Sequence, residues 1–394
     1  MGTVLGVKRD LAILYLSMLT SRVGFGVIII IFPAYISRAS DLGVAGALAL
    51  YPLMEAVTAL PAGRLCDTKG RKVVFVASLG FMALLMASIG LTKSIYAVAS
   101  IHAAMGVGAA GVTVSTLTMV TDLTGGGNRG AGMGAFDFAN VGGYALGLVI
   151  GARLERFFST DLGSAFFVTG LAVAVAFAMA VLVLREPSHP QRTLGSGLNP
   201  FKALDARAKT TLPIWLGITT LLGVVFFLPR AFNRVGLGAG STAGLLVLGV
   251  VVLGLGAVGF GALSDRIGRG RVMLMGIVGL LGLLLVLSVS FESGGLHSVV
   301  RNLPVLGLFV LMTSALVPTI LATVGDGAML ERRGFAMGLY SVMLSGGSAL
   351  GTLVAGIAHS AFGLAGIFEA STAIFSVACA VSLILWLGTR ADGS

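Results

Sequence analysis

The chain has 394 residues, of which 56% are hydrophobic and only 11% charged, with a formal net charge of +10. A water-exposed domain carries roughly 25% charge, so a mean hydropathy of +1.01 excludes a soluble fold and points to an integral membrane protein. Apolar runs of 18 or more residues call for helices rather than the short alternating strands of a membrane barrel.

The first apolar segment, Leu11 to Ile36, is too long for a signal peptide core and lacks a small-residue cleavage site, so it is expected to stay as helix 1. Helix 2 is expected at Gly43 to Gly63, helix 3 at Val73 to Leu91 and helix 4 at Ile95 to Thr121. Helix 5 covers Gly132 to Ala152 and helix 6 covers Gly163 to Leu184. A polar stretch, Arg185 to Thr211, carries three prolines and reads as a linker. The plan then repeats, with helix 7 at Leu212 to Ala231, helix 8 at Thr242 to Leu263 and helix 9 at Val272 to Ser290. Helix 10 follows at Leu303 to Val324, helix 11 at Phe335 to Ala358 and helix 12 at Leu364 to Leu387. The expected architecture is all-α, twelve transmembrane helices in two pseudo-symmetric six-helix halves, 1–184 and 212–394, joined by the linker 185–211.

Lysine and arginine fix the expected orientation. One set of alternating loops and ends holds 18 of them and the other holds 7, and Arg22 lies within a span. The positive-inside rule places both termini and the linker in the cytoplasm of a cell or inner membrane. No soluble domain surrounds the positive charge, so nucleic acid is not an expected partner. The 58 glycines suit close helix packing. Cys66, in the expected loop after helix 2, and Cys379, in helix 12, support neither a disulfide framework nor a metal site.

An internal repeat underlies this plan. The stretch GRLCDTKGRK, Gly63 to Lys72, is answered by GALSDRIGRGR, Gly261 to Arg271, with Gly63 and Gly261, and likewise Asp67 and Asp265, 198 residues apart. Pro33 and Pro229 match at 196, while Asp122, Arg129, Gly143 and Gly147 match Asp326, Arg333, Gly347 and Gly351 at 204. Parallel six-helix halves place a cavity at their interface near the bilayer midplane, an arrangement suited to alternating access.

Charges inside spans cost about 3 kcal/mol or more unless paired or hydrated, which makes them functional candidates. Arg22 lies eleven residues into helix 1, ~16 Å deep, and Glu55 lies ~12 Å from the cytoplasmic end of helix 2. A pair between them is feasible, serving either as a fixed structural bridge or in coupling and substrate binding. Asp137 and Asn140 share one face of helix 5, where a desolvated carboxylate is either a local cap or a proton carrier. Tyr15, Tyr51, Tyr144 and Tyr340 either pack or stack on a substrate. Arg230 and Glu369 stand near outer helix ends and are expected to reach water.

GRLCDTKGRK resembles the loop motif G-x-L-x-D-x-x-G-R-K of the major facilitator superfamily, at the same place after the second of twelve helices. The resemblance implies a cytoplasmic gate: Gly63 and Asp67, with Asp67 meeting the start of helix 11 at Arg332 and Arg333, and Arg71 and Lys72 beside it, with Arg71 reaching Asp122. Asp265, Arg269 and Asp326 are the second-half counterparts. Helix 4 is similar to the exporter pattern R-x-x-Q-G-x-G, with His102 in the arginine place before Gly106 and Gly108. Histidine titrates where arginine does not, so His102 is either a proton-coupling group or a neutral histidine hydrogen-bonded between helices. Helix 5 resembles the exporter motif G-x-x-x-G-P-x-x-G-G through Gly143, Gly147 and Gly151, with Leu148 in the proline place and Ala152 in the last. These glycines read first as close packing and second as a hinge.

No Walker loop and no metal-ligand spacing occurs, so an enzyme, an ATP-driven pump and a cofactor are not expected. The sequence points to a monomeric secondary transporter in contact with lipid, exporting small amphipathic or hydrophobic compounds against protons. Its alternative is an importer or facilitator of a small organic anion, with Arg22 as the ligand.

Overall fold

The computed structural model describes residues 2–124, 129–186, 206–327 and 333–391. Among them the regular elements are helices: α1 (Gly2–Tyr35), α2 (Asp41–Lys69), α3 (Arg71–Ile89), α4 (Ile95–Leu123), α5 (Arg129–Phe157) and α6 (Gly163–Val183). The second half contributes α7 (Ala206–Arg234), α8 (Ala239–Ile267), α9 (Arg269–Arg301), α10 (Leu303–Thr313), α11 (Leu316–Gly327) and α12 (Arg333–Ala391). Ten stretches among the described residues are long and apolar enough to cross a membrane.

Helix ends follow local chemistry. Ser40 caps α2 by accepting the N–H of Gly43 at 3.1 Å. At its other end α2 runs past Gly63 to Lys69, so Cys66, expected in a loop, is helical and fully buried. The α2–α3 connection is then the single residue Gly70, at φ 99 and ψ 148. The α8–α9 connection is likewise Gly268 alone, at φ 95 and ψ 138. These glycines stand 198 residues apart in the two copies of the motif, and each adopts a left-handed φ that a side chain would strain.

Breaks within the helices of the second half also depart from the sequence expectation. Helix 10 is divided into α10 and α11, because Pro318 has no N–H for the carbonyl of Ser314, and the chain tightens into i→i−3 bonds there. Helices 11 and 12 are continuous in α12 except at Gly363, where φ 68 and ψ −158 turn the chain within one residue. Helix 9 continues to Arg301 beyond a similar break at Gly295.

Contacts divide the chain into two compact units, residues 1–195 with 236–244, and residues 196–235 with 245–394. Within the first, α1 packs on α5, α2 on α4, and α3 on both α4 and α6. The α1–α5 seam is made by glycine: a Cβ on Gly147 would meet the Val23 carbonyl and stand 2.8 Å from Gly26 Cα, and one on Gly143 would stand 2.6 Å from Arg22 Cβ. Backbones approach this closely only where side chains are absent, and in a membrane such packing replaces the hydrophobic drive that water supplies. Within the second unit α7 packs on α12, and Gly347 and Gly351 meet Thr219 and Thr220 in the same way. Arg230, expected to reach water, is instead 2% exposed.

Candidate functional site

The site is built on the α2–α4 seam of the first unit. Ala47, Tyr51 and Glu55 recur every four residues on α2, so they stack on one face. Each has a counterpart on α4. The His102 ring nitrogen Nδ1 lies 2.8 Å from the Ala47 carbonyl. A Cβ on Gly106 would meet the Tyr51 carbonyl, so the two backbones touch there. Glu55 Oε1 accepts the hydroxyl of Thr113 at 3.0 Å. Eleven residues separate His102 from Thr113, about three turns, which returns Thr113 to the same face.

Helix α1 adds Arg22 to this ladder. Its Nη2 donates to Glu55 Oε1 at 2.9 Å and to Thr113 Oγ1 at 2.8 Å, and its Nη1 donates to Tyr51 Oη at 3.4 Å. The guanidinium also lies 5.5 Å from the centre of the Tyr144 ring, supplied by α5. Both charged side chains are withdrawn from solvent, 4% exposed for Arg22 and 6% for Glu55. Two buried charges hold their place only when paired and hydrogen-bonded, and removing one partner typically costs about 3–5 kcal/mol. The structure therefore brings Arg22 and Glu55 together, with Thr113 bonded to both.

His102 is fully buried beside them. A carbonyl only accepts, so the contact with Ala47 places the proton on Nδ1. Nε2 is then a buried acceptor without a partner among the described residues. The ring lies 5.1 Å from that of Tyr51, 5.0 Å from Phe32 and 5.9 Å from Phe25. Asn140, on α5, is not part of this cluster: its Oδ1 is buried with no hydrogen bond among the described residues. The side chain of Asp137 lies outside the described residues.

A second assembly surrounds the loop motif. Arg71 Nε lies 3.0 Å from Asp122 Oδ2, joining α3 to the end of α4. The backbone N–H groups of Arg71 and Lys72 donate to Glu186 Oε1 and Oε2 at 2.7 and 2.8 Å, and Lys72 Nζ donates to the Val181 carbonyl at 3.1 Å. Gly63 has only ordinary clearance, with Val114 Cγ1 3.8 Å from the place of a Cβ. Arg269 opens α9. The side chains of Asp67, Asp265, Asp326 and Arg333 lie outside the described residues, as does all of Arg332.

Sequence reasoning missed Thr113 and Glu186. Thr113 carries no signal of its own in the sequence, since a helical threonine ordinarily bonds within its own helix. Glu186 is one of two acids in an otherwise basic linker, and only the fold places it at the start of α3. The second unit holds a cavity of about 780 Å³ lined in part by Phe291, Glu292, Phe362 and Glu369.

Comparison with known proteins identifies the architecture. The sequence profile of the Major Facilitator Superfamily matches residues 14–300 and again 236–393. The chain belongs to the Major Facilitator Superfamily. Among curated members it is 27% identical over 251 residues to the multidrug resistance protein MdtG of Dickeya zeae (strain Ech586), covering 61% of this chain and 57% of that one. It is 22% identical over 296 residues to MdtG of Escherichia coli O9:H4 (strain HS), covering 70% of this chain and 71% of that one. The fold is similar to a bacterial homologue of the human lysosomal transporter Spinster, in its inward-facing, unoccupied form, with a TM-score of 0.75 at 16% identity over 96% of this chain and 97% of that one. It is also similar to the human organic anion transporter MFSD10, with a TM-score of 0.67 at 20% identity over 95% and 99%.

Proposed function

We propose that this superfamily member is a secondary active transporter that works by alternating access and exports small amphipathic or hydrophobic compounds in exchange for protons. The observation that carries the reading is the buried Arg22–Glu55 pair, closed by Thr113. With Glu55 ionised the pair is neutral overall. Protonation leaves a buried positive charge at Arg22, and two access states that solvate that charge differently bind protons with different affinity. The multidrug resistance proteins among its relatives support the choice of cargo.

In this reading both termini face the cytoplasm and the halves 1–184 and 212–394 rock about a central cavity, in a monomer surrounded by lipid. Gly63 to Lys72 forms a cytoplasmic latch in which Asp122 and Glu186 hold Arg71 and Lys72, and Asp67 engages Arg332 and Arg333. The organic-anion alternative requires Arg22 to be released first, since Glu55, Thr113 and Tyr51 already occupy its terminal nitrogens.

The test is transport of a fluorescent lipophilic cation by purified protein in proteoliposomes. A pH gradient should drive accumulation in wild type, and Glu55→Gln should abolish the gradient dependence. Equal transport with and without the gradient, unchanged by Glu55→Gln, removes the proposal.

A further inference from the structure

The cavity of about 780 Å³ in the second unit lies where α9 and α12 each turn within one residue. Gly295, at φ 57, and Gly363, at φ 68, take conformations that side chains rarely adopt, so each helix changes direction and supplies wall residues from both sides of its break. Phe291, Glu292 and Leu296 come from α9, and Phe362, Leu364 and Glu369 from α12. The rings of Phe291 and Phe368 stack at 5.5 Å, one residue before each acid, which sets Glu292 beside Glu369. Their carboxyl groups are within hydrogen-bonding reach of each other. Among the described residues neither takes part in an ion pair.

Glu292 stands about 35 Å along α9 from Arg269, at a rise of about 1.5 Å per residue. The hydrocarbon core of a bilayer is only about 30 Å thick. A span that begins at the α8–α9 turn therefore brings the cavity to the far membrane surface, where both acids are exposed to water rather than to lipid tails.

We propose that this cavity, built wholly from the second unit, binds a free organic cation with an apolar body. The inference does not depend on proton coupling at Glu55. Small-molecule pockets run to roughly 300–1,000 Å³, which this volume matches. Two carboxylates side by side repel each other and any anion, and a cation placed between them relieves that repulsion. A bare metal ion is poorly served, because calcium takes about 6–8 oxygens and a pair of carboxylates among apolar walls offers too few. An ammonium-type head suits the acids, and phenyl faces attract the same charge while covering the ligand's apolar body.

The test is photolabelling of the purified full chain in a maltoside detergent, whose neutral headgroup competes for neither acid. The probe is a benzophenone carrying a trimethylammonium group, and mass spectrometry locates the label. It should mark residues 291–296 and 362–369. Excess tetraphenylphosphonium should remove the mark, whereas tetraphenylborate, an anion of the same shape, should not. Changing both acids, Glu292→Gln with Glu369→Gln, should weaken labelling by about tenfold, the loss of a charged contact. Phe362→Ala is a second variant, at a ring 75% exposed, and should weaken it less. Label found only elsewhere, equal labelling by the neutral benzophenone, or labelling unchanged in the double variant overturns the site. Protection by phosphatidylethanolamine but not by tetraphenylphosphonium makes the occupant a lipid amine and overturns the free cation. Each of these results leaves the proton-coupled reading standing, since Glu55 is untouched.

Discussion

Glu186 caps a helix that begins 115 residues before it: its carboxylate accepts the backbone N–H of Arg71 at 2.7 Å, with the N–H of Lys72 on its other oxygen at 2.8 Å. Helix N-termini leave such donors without partners and favour negative charge. Glu186→Ala should therefore cost about 1 kcal/mol, and Glu186→Gln less. The check is amide hydrogen exchange, which should speed up at Arg71 and Lys72 in Glu186→Ala while the centre of α3 stays protected. Unchanged exchange at both amides removes the cap.

Gly147 and Gly351 should be equally intolerant of a methyl group. A Cβ on Gly147 would meet the Val23 carbonyl, and one on Gly351 the Thr220 carbonyl. Both obstacles are backbone, so neither can rotate away. Overpacking typically costs about 1–3 kcal/mol, and thermal unfolding in detergent should show a lower Tm for Gly147→Ala and for Gly351→Ala. Gly142→Ala is the control, since nothing lies within 4 Å of its place for a Cβ. If Gly142→Ala destabilises as much, contact with the neighbouring helix is not the cause.

The spacing of Gly143, Gly147, Gly347 and Gly351 was visible in the chain because small residues recur at fixed offsets and close packing needs nothing else. Arg22 and Glu55 were visible for a related reason, as charges in otherwise apolar spans. Thr113 was not, because a threonine in a helix satisfies itself locally and its type carries no sign of a partner on another helix. Glu186 was hidden by distance along the chain. The division of helix 10 was legible in Pro318 but was read through, since hydropathy continues across the break. The union of helices 11 and 12 was hidden likewise, because one glycine at positive φ takes the place of a loop.

The Arg22–Glu55 pair predicts a strong departure from additivity. Arg22→Met leaves a carboxylate buried with the Thr113 hydroxyl as its remaining donor in the Arg22–Glu55–Thr113 cluster, and Glu55→Met leaves a guanidinium without a counter-charge. Each single change should destabilise by about 3–5 kcal/mol, whereas the double change removes both charges and should recover much of that loss. Unfolding of the four proteins under one set of conditions gives the coupling energy. Additive losses would mean that the two side chains do not interact in the folded protein.

His102 provides a prediction about chemistry that the family resemblance alone does not give. Its Nδ1–H donates to the Ala47 carbonyl at 2.8 Å, and its ring stacks on Tyr51, whose hydroxyl accepts from Arg22. An asparagine amide nitrogen occupies roughly the position of Nδ1, so His102→Asn keeps a donor for Ala47. His102→Leu keeps an apolar body and loses the donor, at a cost of about 1 kcal/mol. The expected order of stability is wild type, then asparagine, then leucine. Nitrogen-15 spectra of imidazole-labelled protein should show the N–H on Nδ1, the nitrogen that faces the Ala47 carbonyl. His102→Asn should also leave the pH dependence of transport in place, because Nε2 has no acceptor waiting for a second proton among the described residues. A second N–H appearing on acidification, together with a pH profile flattened by His102→Asn, would make His102 itself a proton carrier and reduce Glu55 to its structural partner.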